Sequence, residues 1–244
     1  MTVYFCYYGH IMGSRVCIII PAYNEDGAIA DVVKGVIKEF KKSRHIASAV
    51  VVNDGSDDAT STVARSAGAT VIDHIMNSGV GGATATGLRY AEIHGFDIGV
   101  TMDADGQHSP ADVVKGVDIL SKSNTDLLIG SRLIDSQGMS RVKVLGNWGL
   151  SFITRVLFGV KTTDSQSGLR VFSQKALRTL RWKTSGYEFC SEMLWRAHQQ
   201  HLQVDEYPIK AIYTEYSKSK GQNNWNGVNI VKSLIKRRIG ELFG

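Results

Sequence analysis

The stretch Val100–Pro110, VTMDADGQHSP, decides how the rest of the chain is read. A short run of apolar and β-branched residues ends in two acids one residue apart, Asp103 and Asp105. A strand that ends this way aims both carboxylates at one spot, and concentrated negative charge costs stability unless a cation joins it. Two carboxylates and the adjacent Gln107 amide are hard oxygen donors, suited to Mg2+ or Mn2+ rather than zinc. A magnesium ion with few protein ligands keeps open positions that diphosphate oxygens can fill. The competing reading is a polar turn that caps the following helix through Asp105 or Ser109.

Working outward, strand-like and helix-like stretches alternate. Val16–Ile20 is an apolar run ended by Pro21, as in a strand buried on both faces. Ala28–Lys41 repeats apolar residues at helical spacing. Ala49–Val52, Thr70–Asp73, Asp97–Met102 and Asp126–Gly130 read as strands, and Ala59–Gly68, Gly81–Gly95 and Ala111–Ser121 as helices. Asp57 or Asp58 is the expected N-cap of the Ala59–Gly68 helix. This rhythm predicts an α/β, Rossmann-like, doubly wound and mostly parallel sheet with helices on both faces. Ligands of such sheets bind beyond the carboxyl ends of the strands. The polar clusters fall there: PAYNE (Pro21–Glu25), NDGSDD (Asn53–Asp58) and DADGQH.

The whole composition sets wider bounds. With 244 residues, 43% of them hydrophobic, the chain can bury one sizeable core. A net charge of +5 allows an anionic partner such as a phosphate-bearing ligand or a membrane surface. Cys6, Cys17 and Cys190 are odd in number and widely spaced, which suggests neither a disulfide framework nor a zinc site. No segment reads as a cleavable signal or a membrane span; Asn147 and Arg155 interrupt the best candidate, Val144–Val160. Residues 1–14 read as an extension, and Leu202–Ile212 as a strand interrupted by Pro208.

Each cluster alone has an ordinary explanation. Asp54 could accept hydrogen bonds from a nucleobase, yet Asp-Gly is also a common turn former. The turn Asn77–Ala83, NSGVGGA, is Gly-rich before a helix and could face a phosphate. Their order is more telling than any one of them. PAYNE, DGSDD, the Gly-rich turn and DADGQH follow one another at successive strand-to-helix junctions. With Gly130–Arg132 (GSR), Asp164–Phe172 (DSQSGLRVF), YEFCSEMLWRA and Glu206–Ile209 (EYPI), the sequence resembles family 2 glycosyltransferases of the GT-A fold. More narrowly it is similar to the polyprenyl-phosphate sugar transferases, of which dolichyl-phosphate mannose synthase is the familiar type. The likeness spans roughly Val16–Gln222.

That resemblance implies an inverting, metal-dependent hexosyltransferase with a UDP- or GDP-linked sugar donor and an undecaprenyl or dolichyl phosphate acceptor, at work in cell-surface glycan or glycoprotein synthesis. Pro21, Ala22, Tyr23 and Glu25 would line the nucleotide pocket, Asp54 would contact the base with Gly79 nearby, and Asp103, Ala104 and Asp105 would meet ribose and metal. Gln107 would complete the metal site. Arg132 would meet the diphosphate or the acceptor phosphate, with Lys220 adding positive charge. Asp164 would stand beside sugar and acceptor as the base if the acceptor is a hydroxyl, and Ser167, Gly168, Glu192 and Lys218 would contact sugar or acceptor. Two positions depart from the family pattern. Val80 stands where a Lys is frequent, and Thr214 where an Arg is usual, which leaves Lys218 or Lys220 to supply charge there.

A lipid acceptor calls for contact with a membrane. The last segment, residues 223–244, reads as a basic amphipathic helix with Val228, Val231, Ile239 and Leu242 on one side and Lys232, Lys236 and Arg237 on the other. Trp148, Phe152 and Phe158 are a second candidate patch, and core is the alternative for both. The expectation is a GT-A domain over residues 15–222, peripheral on the cytoplasmic face of a membrane directly or through a small membrane-protein partner, with no nucleic-acid partner. The alternatives are transfer to a sugar hydroxyl of a lipid-linked glycan and a non-catalytic nucleotide-sugar-binding module.

Overall fold

In a computed structural model of the chain, residues 13–136, 139, 141–212 and 216 are described. The proposed N-terminal extension up to residue 12, Thr214, Lys218, Lys220 and the segment 223–244 lie outside the described residues. The first half follows the sequence rhythm: β1 (Arg15–Ala22), α1 (Ile29–Phe40), β2 (Ile46–Asn53), α2 (Thr60–Ser66), β3 (Thr70–Asp73), α3 (Val80–Ile93), β4 (Ile98–Thr101), α4 (Pro110–Leu120) and β5 (Leu127–Ser131). The second half adds α5 (Arg141–Phe158), β6 (Arg170–Ser173), α6 (Gln174–Thr179), α7 (Phe189–Gln199) and β7 (Val204–Pro208).

The described strands form one sheet in the order β3-β2-β1-β4-β6-β5-β7. β1 is central because Val16–Ile20 is apolar on both sides, and all five residues are fully buried between parallel β2 and β4. One core lies under α1, where Ile29, Val32, Val33, Val36 and Phe40 recur at helical spacing. The other lies on the opposite face, where Ile19, Leu88, Phe172, Leu177 and Leu194 meet. The doubly wound arrangement is therefore as expected.

β6 was not foreseen, and it runs antiparallel to both β4 and β5. The reversal matters for the site. The carboxyl ends of β1, β2, β4 and β5 point one way, and the start of β6 arrives at the same edge of the sheet. Thr101 pairs with Arg170 in register and donates to the Gly168 carbonyl at 2.8 Å, which holds the segment before β6 against the end of β4. The cap of α2 also differs from expectation. Ala59 occupies the N-cap, and Asp58 accepts from the Thr60 N–H at 2.9 Å from one position further out. No described helix is long and apolar enough to cross a membrane.

Helix α3 approaches β1 so closely that a Cβ on Gly87 would lie 2.2 Å from Ile19 Cγ2. Gly87→Val should therefore destabilise the fold by about 1–3 kcal/mol, since a packed β-branched neighbour has little room to yield. Urea unfolding would show it as a lower midpoint at unchanged slope.

Candidate active site

The strand ends open on a cavity of about 1160 Å³. Pro21, Ala22, Tyr23 and Glu25 line it after β1, and Asp54 after β2. Gly79 borders it from the Gly-rich turn, and Asp103, Ala104 and Asp105 form its floor after β4. Across from them stand Arg132 after β5 and Ser167 and Gly168 before β6. Most of the residues singled out in the sequence are thus brought to one place.

The two floor acids have opposite electrostatics. Burial works against charge on Asp103, but the His108 hydrogen bond (Nε2 to Oδ2, 2.9 Å), the charge on His108 and the cations Arg132 and Arg170 outweigh it, so its pKa is lowered. The pKa of Asp105 is raised, first by burial and then by the Asp103 charge, with Glu25 adding to the push. Ionised Asp105 is therefore short of positive charge. This donor chemistry fits a hard divalent cation, which would relieve the repulsion. Among the described residues, no three His, Cys, Asp or Glu side chains gather as a ready-made metal cage. Gln107 lies against Asp105 and does not line the cavity. Its Nε2 donates to Asp105 Oδ2 at 2.6 Å and its backbone N–H to Oδ1 at 3.0 Å, so it orients the carboxylate. Asp105 caps no helix; Ser109 holds the N-cap position of α4.

Asp54 is buried and heavily engaged. Oδ1 accepts from the Ser78 backbone at 2.9 Å, the Ser78 hydroxyl at 2.7 Å and His74 Nδ1 at 2.7 Å, and Oδ2 from the Gly79 N–H at 2.8 Å. His74 continues to Thr86 Oγ1 at 3.0 Å. The carboxylate pins the Gly-rich turn from below while it borders the cavity. The turn itself corrects the phosphate-facing reading. The Ser78 and Gly79 amides are taken by Asp54, and the Gly81 amide donates to the Ser185 carbonyl at 2.7 Å. Gly79, with φ +83°, and Gly81 are glycines because a Cβ would lie 2.4 Å from the Ser185 oxygen and 2.5 Å from the Thr184 oxygen.

Two expected contacts do not hold. Asp164 is fully buried and does not line the cavity; Arg132 Nε and Nη2 clasp it at 2.8 and 3.0 Å, and the Arg132 backbone N–H adds a third bond at 3.1 Å. A carboxylate so engaged positions Arg132 and cannot reach an acceptor proton. Glu192, at 1% exposure, is neither a sugar contact nor surface charge. It accepts from the Lys183 and Thr184 amides at 3.0 and 2.9 Å and from the Thr184 hydroxyl at 2.7 Å. It thereby fixes the segment before α7, from which Tyr187 lines the cavity. Gly168 is required as glycine, because a Cβ there would lie 2.2 Å from Asp103 Oδ1.

The sequence reading passed over four contributors. Arg170 borders the cavity at 1% exposure, its Nη2 on the Ser165 carbonyl at 2.8 Å. An Arg inside the apolar run GLRVF was the available signal. His108 and His74 support the two key acids, and Tyr187 opens onto the cavity. Nothing in residue type alone marked these three. Cys17 and Cys190 are free and buried, and burial pushes the Cys17 thiol up to about 12 and raises Cys190, as fits inert packing thiols.

The doubly wound sheet carries a cavity and an acid pair at its strand ends, and comparison with known proteins gives its class. The pattern of glycosyl transferase family 2 matches residues 17–181, and the chain belongs to that family. It is a glycosyltransferase of the GT-A fold. It is 38% identical over 247 residues to the UDP-N-acetylglucosamine–dolichyl-phosphate N-acetylglucosaminyltransferase of Methanococcus voltae, across 92% of this chain and 96% of that protein. It is 29% identical over 219 residues to the undecaprenyl-phosphate mannosyltransferase of Micrococcus luteus, across 84% and 87%. In fold it resembles glucosyl-3-phosphoglycerate synthase from Mycobacterium tuberculosis, solved in complex with Mn2+, uridine diphosphate and glucosyl-3-phosphoglycerate. That likeness has a TM-score of 0.69 at 19% identity and covers 93% of this chain and 81% of that one.

Burial raises the Asp54 pKa, but the hydrogen bonds from Ser78, His74 and Gly79 outweigh it and the net shift is downward. Its ionised form therefore stabilises the fold above the unfolded pKa of about 3.9, and that contribution is lost as pH falls through the lower folded value. Asp54→Asn should cost about 1–3 kcal/mol at neutral pH, a difference that narrows on acidification below about pH 4. Urea unfolding of both proteins across pH measures it. Asp164→Ala should cost about 1–3 kcal/mol by removing the carboxylate that clasps the partly buried Arg132. Conservative Asp164→Asn should lower the transfer rate without moving its pH profile, whereas loss of a profile limb would restore Asp164 as a base.

Proposed function

We propose that this glycosyltransferase moves a sugar from a UDP-linked donor to a polyprenyl phosphate, at a membrane to which it is peripheral on the cytoplasmic side. The domain would be the GT-A unit over residues 15–222. One observation carries the choice of acceptor. The cavity wall beside Arg132 holds Gln166, Ser167, Gly168 and Arg170, while the lining carboxylates Glu25, Asp54, Asp103 and Asp105 lie on the donor side. A hydroxyl acceptor needs a base on the acceptor side, and Asp164 is withdrawn from that task by Arg132. A lipid phosphate is already anionic and needs little base, and a wall with two guanidinium groups favours it. The names of the relatives from Methanococcus and Micrococcus agree with a polyprenyl-phosphate acceptor, and the former with a UDP sugar.

In this reading Asp54 and Tyr23 meet the nucleoside, and Gly168 keeps room for Asp103 beside the ribose. Asp105, oriented by Gln107 and flanked by Asp103, would hold Mg2+ or Mn2+. The ion, when bound, supplies Lewis-acid relief of charge on the departing nucleoside diphosphate. Arg132, fixed by Asp164, aligns the acceptor phosphate and offsets its charge as it approaches the sugar carbon. Tyr187 on the wall before α7 supplies a hydroxyl to the donor sugar.

Thermal unfolding with UDP, GDP, CMP or dTDP, each with and without Mn2+, tests the donor side. UDP with Mn2+ should raise the melting temperature by mass action, and Asp105→Ala should abolish the rise. Transfer from a UDP sugar to polyprenyl phosphate, but not to a free sugar hydroxyl, is the expected activity. Metal-independent stabilisation by UDP, or transfer to the hydroxyl alone, would overturn the reading.

A further inference from the structure

Behind the cavity wall lies a layer of buried hydroxyls. Ser151 and Thr154 come from α5, Ser165 from the segment before β6 and Ser191 from α7, and each is at most 3% exposed. Gln166 stands between this layer and the cavity, which it lines. Its Nε2 donates to Ser165 Oγ and to Ser191 Oγ at 3.3 Å each.

The orientation of that amide follows from counting protons. Thr154 Oγ1 lies 2.9 Å from the Leu150 carbonyl, which can only accept, so the Thr154 proton goes there. The Thr154 and Ser191 hydroxyls are 2.9 Å apart, and the bond between them must then use the Ser191 proton. Ser191 has no proton left and can only accept from Gln166. The NH2 end of the amide therefore faces the hydroxyls. Oε1 is left on the cavity side, with no partner among the described residues. Bonds that all run one way, from Gln166 through Ser191 and Thr154 to Leu150, polarise one another and make Oε1 a stronger acceptor.

The same wall carries two more polar atoms in this condition. Ser167 Oγ and Arg170 Nε belong to residues at most 1% exposed that line the cavity, and neither atom has a hydrogen-bond partner among the described residues. Buried polar atoms are rarely left unpaired, and those that are call for a ligand or another explanation.

The chemistry of Oε1 narrows what meets it. An amide oxygen needs a group with a proton to give, whereas a lipid phosphate or a diphosphate presents oxygens that accept. The nucleobase is too distant. Gln166 leads into β6, three strands away from β2 and Asp54, or roughly 14 Å at ordinary strand spacing. The ribose belongs beside Asp103 on the floor. The transferred sugar remains, and its hydroxyls, or an acylamino group, are O–H and N–H donors.

We infer that Gln166 is a specificity residue for the donor sugar, accepting a hydrogen bond from a hydroxyl or an acylamino N–H of the transferred ring, with Ser191 and Thr154 as the positioning residues that fix its amide. This rests on the nucleotide-sugar reading and adds the side chain that inspects the sugar.

The test is calorimetric binding, with Mn2+, of UDP, UDP-glucose, UDP-N-acetylglucosamine, GDP and GDP-mannose to the full chain, to Gln166→Met and to Thr154→Val. Gln166→Met keeps the length of the side chain and removes the oxygen. It should weaken the preferred sugar nucleotide about tenfold and leave the bare nucleotide within about twofold. Thr154 does not line the cavity, and Thr154→Val keeps its shape while freeing the Ser191 proton for the amide oxygen, so the amide can turn. That variant should weaken the same sugar nucleotide several-fold with the bare nucleotide bound as before. A merely structural role would lower the melting temperature without separating the two ligands. A loss confined to UDP-N-acetylglucosamine assigns the partner as the acylamino N–H; an equal loss with UDP-glucose assigns a hydroxyl common to both. An equal loss for the bare nucleotide overturns the inference by placing the amide on the nucleoside. So does an unchanged ratio of sugar-nucleotide to nucleotide affinity in Gln166→Met, or a raised KM for polyprenyl phosphate with donor binding intact. Binding of the GDP pair alone would correct the nucleotide, and the same ratio then decides on GDP-mannose. Failure of all five to bind the parent chain would defeat the donor reading itself, and the inference with it.

Discussion

The architecture turns on keeping an acid charged at the end of a buried strand. Asp103 is delivered by β4, the middle strand of the sheet, where burial opposes its charge. His108 holds it directly, and Arg132 and Arg170 reach it from β5 and β6. Arg170 can stand there because β6 runs against its neighbours and brings its first residues to the carboxyl edge of the sheet. Gly168 then has to be glycine to clear the carboxylate. A single electrostatic requirement thus links the odd strand, the buried arginine and the small residue before it. At Asp105 the Gln107 hydrogen bond and the His108 charge do not offset burial and the neighbouring Asp103 charge, and its raised pKa fits a site that would be relieved by a cation.

Much of this was legible in the sequence. Alternation of apolar runs and amphipathic stretches placed the first five strands and the four helices between them, because parallel strands buried on both faces leave an unmistakable pattern. PAYNE, DGSDD and DADGQH fell at strand ends, where ligands bind such sheets. The second half was less readable for a physical reason. β6 is four residues long with an Arg in it, and α5 buries Ser151 and Thr154 while Leu145, Trp148 and Phe152 are exposed. Both contradict the rule that hydrophobic means inside, on which sequence patterns depend.

The misplaced roles share one cause. Asp164 and Glu192 are both acids near the site, and both spend their oxygens on N–H groups of neighbouring segments. A carboxylate accepts hydrogen bonds from amides as readily as from a ligand, so residue type cannot separate a chemical acid from one that fastens two loops. Position in a strand-end motif narrows the field without deciding it. Burial decides: Asp164 and Glu192 are sealed behind the wall, while Asp103 and Asp105 face the cavity.

The same distinction changes the meaning of the Gly-rich turn. Glycines before a helix suggest amides offered to a phosphate, yet here those amides are satisfied within the protein and the glycines admit the Thr184–Ser185 backbone. Trp182 reinforces the seam by donating to the Gly81 carbonyl at 3.0 Å. Asp54 on one side and Glu192 on the other therefore clamp α3 to the segment that carries Tyr187. With the Ser78, Gly79 and Gly81 amides committed, the turn sets a wall of the cavity. Among the described residues, positive charge stands on the opposite wall of the cavity, where Arg132 and Arg170 are. The two sides of the cavity are then separate constructions, one fixed by carboxylates that hold backbone and the other by guanidinium groups, and they meet at Asp103.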